Sequence, residues 1–164
     1  MKKDEMKEQY DEIAALYDLA EELASTVESK LAKNPKEQLA LVEPFISDIA
    51  DSTDVLTEEY ISIMEEPSRK KPARARIEKA LRKMFTALDT FRARAHEMGQ
   101  DSLSALATLT DTIATKIQKQ TEKIMLIFMH LVDISLERIM RKHELDEFRR
   151  RNEQIVNSIP QHSH

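Results

Sequence analysis

The sequence predicts an all-α fold: an antiparallel helical bundle with coiled-coil-like packing, four to five helices and a very long C-terminal helix. Three observations carry that expectation. Apolar or small residues recur at alternating three- and four-residue steps over four stretches, the spacing of a helix packed lengthwise against others. One glycine in 164 residues and 34% charged side chains suit long helices, while 5% aromatic residues are few for a sheet. Pro35, Pro67, Pro72 and Gly99 fall between those stretches, where helices should start or stop.

The first row, Met6, Tyr10, Ile13, Tyr17, Ala20, Ala24, Val27 and Leu31, predicts a helix over about 4–33. Leu16 and Leu23 widen its apolar stripe toward a second neighbour, as a bundle requires. Asn34-Pro35-Lys36-Glu37 then offers a cap, a proline for the first helical position and an acid three residues beyond the cap. The second row runs Leu39, Val42, Ile46, Ile49, Thr53, Leu56, Tyr60 and Ile63. Inside it, Pro44 cannot donate to the Ala40 carbonyl and crowds it, which predicts a short helix 35–43 and a main helix 44–66. Pro67-Ser68-Arg69-Lys70-Lys71-Pro72 reads as a connection.

Ile77, Leu81, Met84, Leu88, Phe91, Ala95 and Met98 predict a third long helix over 73–98, with Gly99 placed to end it in the left-handed conformation. Asp101 or Ser102 is available to cap the next one, and so short a gap makes the two antiparallel neighbours. Leu103, Leu106, Thr110, Ile113, Ile117, Gln120, Ile124, Ile127, Leu131 and Ile134 open the last row. No proline or glycine interrupts 102–157, a length of about 80 Å if straight. Its seam slips, however: Arg138, Arg141 and Asn152 occupy apolar positions while Leu136, Ile139 and Met140 move to an adjacent face. Leu145, Phe148 and Ile155 then restore the phase. Such a slip marks a stutter or a break, and without a breaker residue continuity is the expectation. Residues 1–158 are read as a single helical domain and 159–164 as a disordered tail.

The third helix reaches only to about residue 128 of so long a fourth. Near that point Ile124-Met125-Leu126-Ile127-Phe128-Met129 is apolar on every side, and such a helix must be enclosed on every side. Either several helices of one chain converge there, or two chains do. In the second case a homodimer is expected, with Met125, Phe128, Met129 and Val132 as its candidate interface.

Composition narrows the function classes. There is no cysteine, so disulfides and thiolate metal sites are excluded. The charged start and the absence of a long apolar run argue against a secretory signal or a membrane span, which makes a cytoplasmic location the default. Net charge is −5, but residues 1–66 hold 18 acidic against 6 basic side chains and residues 67–164 hold 12 against 19. Two oppositely charged halves, or two copies, should attract each other.

No chemical site emerges. Bundles bind paired metals through Glu-x-x-His on facing helices, yet Ala93, Ile127 and Met140 precede His96, His130 and His143 by three residues. His130 and Asp133 share a face but fall short of a ligand set, so no metal and no cofactor is expected. His143-Glu144-Leu145 resembles the start of the phosphoacceptor box of sensor histidine kinases, in which the acid serves the histidine as a base. Glu147 and Phe148 stand where that box has a polar residue and a proline, and no glycine-rich nucleotide domain follows. Serines and aspartates are abundant on every helix, and nothing positions a nucleophile at a strained turn. Arg149-Arg150-Arg151 suits the last turns of a helix.

One segment stands out by charge. Arg69, Lys70, Lys71, Arg74, Arg76, Lys79, Arg82 and Lys83 place eight cations beside only Glu78 in fifteen residues, a candidate anion-binding stripe. Aromatic residues for base stacking are not interleaved, and pairing with the acidic first half is the simpler use. The expectation is therefore a non-enzymatic bundle that self-associates and binds other proteins as a scaffold, adaptor or chaperone-like partner. The alternative is an architectural or nucleic-acid-associated protein using residues 69–83.

Overall fold

A computed structural model describes residues 3–30, 35–101 and 104–153. Among them are six helices: α1 (Lys3–Lys30), α2 (Pro35–Glu65), α3 (Lys70–Asp101), α4 (Ser104–Leu131), α5 (Leu136–Ile139) and α6 (Lys142–Arg151), with a 3-10 turn at Pro67–Arg69. The described residues contain no strand. Each of the four long helices packs on the next, and α4 returns to α1, which closes a ring around one core. Cross-links fix the directions. Tyr60 of α2 reaches Met6 and Gln9 while Tyr17 reaches Asp54, so α1 and α2 are antiparallel. Arg76–Glu59 with Lys83–Asp48, Arg92–Gln118 with Arg74–Asp133, and Lys123–Glu12 with Lys116–Glu22 give the same sense to the other three pairs.

The rows read from the sequence line this core. Ile77, Leu81, Met84, Leu88, Phe91 and Ala95 of α3 are all buried. On α1 the buried stripe is Ile13, Leu16, Ala20 and Leu23, so the widening leucines form its centre and Tyr10 and Tyr17 its edge. In α2, Thr53 and Thr57 sit in the core because each hydroxyl donates back to a carbonyl of the preceding turn, Ile49 at 2.6 Å and Thr53 at 2.9 Å. A hydroxyl satisfied within its own helix offers neighbours only its methyl group.

Pro44 does not divide the second helix. α2 is continuous from Pro35 to Glu65, and the Ala40 position, whose carbonyl loses its donor, is exposed to water. Solvent therefore reaches the position to replace the missing bond, and the helix tolerates its internal proline. The third helix begins earlier than the sequence suggests, at Lys70. Pro72 then lies in its first turn, where a missing N–H costs nothing. It also runs through Gly99 to Asp101 instead of ending at Met98. Asn34 and Ser102, the expected caps, lie outside the described residues.

The very long C-terminal helix does not exist; α4 stops at Leu131. The Val132-Asp133-Ile134-Ser135 stretch is rich in residues that lose side-chain freedom in a helix or hydrogen-bond to nearby backbone instead. Ile134 N–H donates to the Val132 carbonyl at 2.8 Å, a tight turn that reverses the chain. The helix break would strand a buried backbone donor. Glu78, itself buried on α3, accepts that Ser135 N–H at 2.6 Å and takes the Arg138 Nε at 2.9 Å. From there α5 and α6 run back along α3 and α4. Arg141 pairs with Asp89, and Arg151 meets Glu122 at 2.6 Å. Leu136, Ile139, Leu145 and Phe148 are buried in this return, and that is why the apolar phase slips where it does.

The fold-back also removes the ground for pairing two chains through a projecting helix. Met125 and Phe128 are fully buried, Val132 nearly so and Met129 half-buried, all within one chain, and Phe128 meets Tyr60 edge-on at 6.4 Å. The four candidate interface residues are thus packed against their own bundle. No helix among the described residues is long and apolar enough to cross a membrane.

Glu78→Ala leaves Ser135 N–H and Arg138 without their acceptor, and should cost about 1–3 kcal/mol in urea unfolding. Hydrogen exchange should then speed up at 132–141 and stay slow at 77–95; uniform acceleration contradicts the local role. Phe128→Asp places a charge in the core and should unfold the chain, and light scattering of the parent should return the mass of one chain. A folded variant, or a parent of two chains, restores the intermolecular reading. Burial raises the Tyr60 hydroxyl above its ordinary value near 10, and burial followed by the Asp54 hydrogen bond raises Tyr17. The fold therefore holds these protons more tightly than the unfolded chain does, so their contribution is complete below about pH 10 and is lost as pH climbs through the raised values. Absorbance at the phenolate band during alkaline titration should show two late tyrosines whose ionisation accompanies a falling melting temperature.

Candidate functional site

The eight cations of residues 69–83 do not form one surface, because α3 presents them in two directions. Arg74 and Arg82, with Glu78 between them, form a row at four-residue steps that faces the returning C-terminal segment. Arg74 lies 4.0 Å from Asp133, and Arg82 donates to the Arg138 carbonyl at 3.3 Å. Arg76 and Lys83 face α2, where Arg76 holds the buried Glu59 at 2.5 Å and Lys83 lies 3.7 Å from Asp51 and 3.9 Å from Asp48. The acidic second helix on the basic third is thus a real pairing. Arg69, Lys70, Lys71 and Lys79 have no ion-pair partner among the described residues. The first three stand at the end of the bundle, on the 3-10 turn and the start of α3.

Lys79 belongs to a different feature, a cleft of about 310 Å³ between α2 and α3. Its floor is Pro44, Ala87 and the edges of Phe45 and Phe91, whose rings stack at 4.4 Å with 18° between their planes. Thr86 and Thr90 add methyl groups and hydroxyls, and Lys79, Arg82, Lys83 and Arg94 stand along the rim. Asp48 is the one acid in the lining. The stems of lysine and arginine cover apolar surface while their charges remain in water, so the wall is greasy below and cationic above. Arg94 lies beyond the basic segment. It is nevertheless legible as a continuation, since 79, 83, 87, 90 and 94 fall on one helical face. Phe45 and Phe91 are seam residues, and only their neighbour Pro44 marks the place where the wall opens.

A second, more polar cleft lies under α6 and is already bridged. Arg92 donates to Gln118 at 2.6 Å, Gln118 to Glu122 at 3.1 Å, and Arg151 to the same carboxylate at 2.6 Å. These bonds hold the C-terminal return. His143 is exposed at its mouth on the second residue of α6, and the carboxylate of Glu144 is engaged by Arg141 at 2.7 Å instead of by the imidazole. The histidine and acid of the kinase-like tripeptide are not brought together. His130 is exposed, and among the described residues no three histidine, aspartate or glutamate side chains converge as a metal-ligand set.

The chain matches no protein-family model, no curated protein and no solved structure. Its chemistry has to be read from its own surface.

Proposed function

We propose that this protein is a non-enzymatic helical bundle that acts by binding other proteins, as an adaptor or scaffold. The observation that carries the reading is the α2–α3 cleft, which joins an apolar floor to a rim of four cations on rigid helices. Apolar contact gives affinity and rim charge gives selectivity and encounter rate, the usual division at protein interfaces. Inside the bundle, the hydroxyls of Thr53, Thr57 and Thr121 donate within their own helices and the carboxylates of Glu59, Glu78 and Glu122 are each held by an arginine, while Ser52 Oγ is buried without a partner among the described residues. Two further facts count against the nucleic-acid alternative. The cations of 69–83 are spread over the bundle end, the α2 side and the C-terminal side, and three of them sit beside carboxylates of the chain itself.

A photoreactive phenylalanine analogue at the exposed Thr90 should give discrete protein adducts in cells. The same group at exposed Lys119 on α4 should give none. Absence of adducts from every exposed position tried along α2 and α3 would overturn the protein-binding reading.

A further inference from the structure

We propose that the α2–α3 cleft receives an acidic amphipathic helix of a partner protein. Its apolar side chains would lie over Pro44, Ala87 and the Phe45–Phe91 edge, and its carboxylates on Lys79, Lys83 and Arg94, while Arg82, whose guanidinium donates to the Arg138 carbonyl, lines the cleft with its stem. This inference rests on the protein-binding reading above and names the occupant.

Charge complementarity selects the class. Four cations against Asp48 give the lining a net +3 in a chain whose overall charge is −5. Lys79 and Arg94, at the two ends of the rim, have no ion-pair partner among the described residues, and Lys83 meets Asp48 and Asp51 only at 3.9 and 3.7 Å. Among the described residues, an incoming carboxylate at these heads breaks no close pair. Length selects the form. Lys79 to Arg94 spans about 22 Å of α3 axis, which matches about four turns of a helix lying alongside. Helices seated in grooves use apolar anchors one turn apart flanked by charge, and a floor bounded by two helices accepts that shape.

The same floor disfavours a nucleic acid in the cleft. Single strands bind by stacking bases on exposed aromatic faces, yet Phe45 and Phe91 stack on each other and are 3% and 2% exposed. The apolar surface open to an occupant is instead the exposed Pro44 ring, the Thr86 and Thr90 methyls and the cation stems over the thin edges of those rings, suited to aliphatic side chains.

The test is fluorescence anisotropy with a fluorescein-labelled helical peptide of about sixteen residues, a length matched to the cleft. It carries leucine at one-turn spacing and glutamate elsewhere, and a counterpart replaces every glutamate by lysine. The glutamate peptide should bind the full chain, more weakly as salt is raised, and the lysine peptide should not. Lys79→Glu with Arg94→Glu should weaken binding about tenfold or more. Lys119→Glu with Arg150→Glu, the same charge change away from the cleft, should alter it less than about twofold. Circular dichroism verifies that each variant is folded, and Lys79→Gln with Arg94→Gln, expected to weaken binding in the same direction, replaces the reversal if it is not. The proposal is overturned by equal binding of both peptides, by indifference to the rim variants, or by a labelled single-stranded oligonucleotide that outcompetes the peptide for the cleft. Failure here with adducts still formed at Thr90 rejects the acidic occupant alone; absence of adducts from every exposed position tried along α2 and α3 rejects the broader reading.

Discussion

A helix segment that is apolar on every side has to be covered on every side, and residues 124–129 impose that demand on the whole chain. Ile124, Met125 and Phe128 point into the ring of long helices, and Leu126, Ile127 and Met129 pack against it half-covered. Antiparallel packing through short connections brings α1 and α3 to its flanks. α2 closes the opposite side with Tyr60 against Phe128. Beyond Leu131 the chain reverses at 132–135, α5 packs on α3, and Arg151 of α6 ties the return to Glu122 of α4. Glu78 makes the reversal tenable by accepting the backbone donor that the break leaves inside.

Periodicity exposed the four long helices because each buries an apolar stripe, and in α3 the row from Ile77 to Ala95 is buried throughout. It misled where one physical signal had two causes. The phase slip after Ile134 is produced equally by a stutter and by a break, and breaker residues are only one way to make a break. Here β-branched side chains and a carboxylate from another helix suffice, and a partner fifty-seven positions away leaves no trace in local spacing. Pro44 misled in the opposite direction. The cost of a proline depends on whether water reaches the orphaned carbonyl, which is decided by the helix face on which Ala40 falls.

Charge told a mixed story for a related reason. The imbalance between the two halves correctly anticipates acidic α2 lying on basic α3, but most of these pairs are well exposed and contribute little to stability. Their effect is on register: sliding α2 along α3 would carry Asp48 and Asp51 away from Lys83 and leave the buried Glu59 without Arg76. Linear clustering of cations, by contrast, says nothing about direction on a helix. A run of fifteen residues turns through more than four turns and distributes its side chains over every face. The cleft became visible only when helix faces replaced sequence order, since it unites Pro44 and Phe45 with residues 79–94.

The brevity of α5 and α6, four and ten residues, has an energetic meaning. Isolated helices below about twelve residues seldom survive in water because nucleation is costly. These two therefore owe their existence to the surface beneath them. Their helical state is thus conditional on the surface that the long helices present, so the return depends on the ring and cannot outlast it.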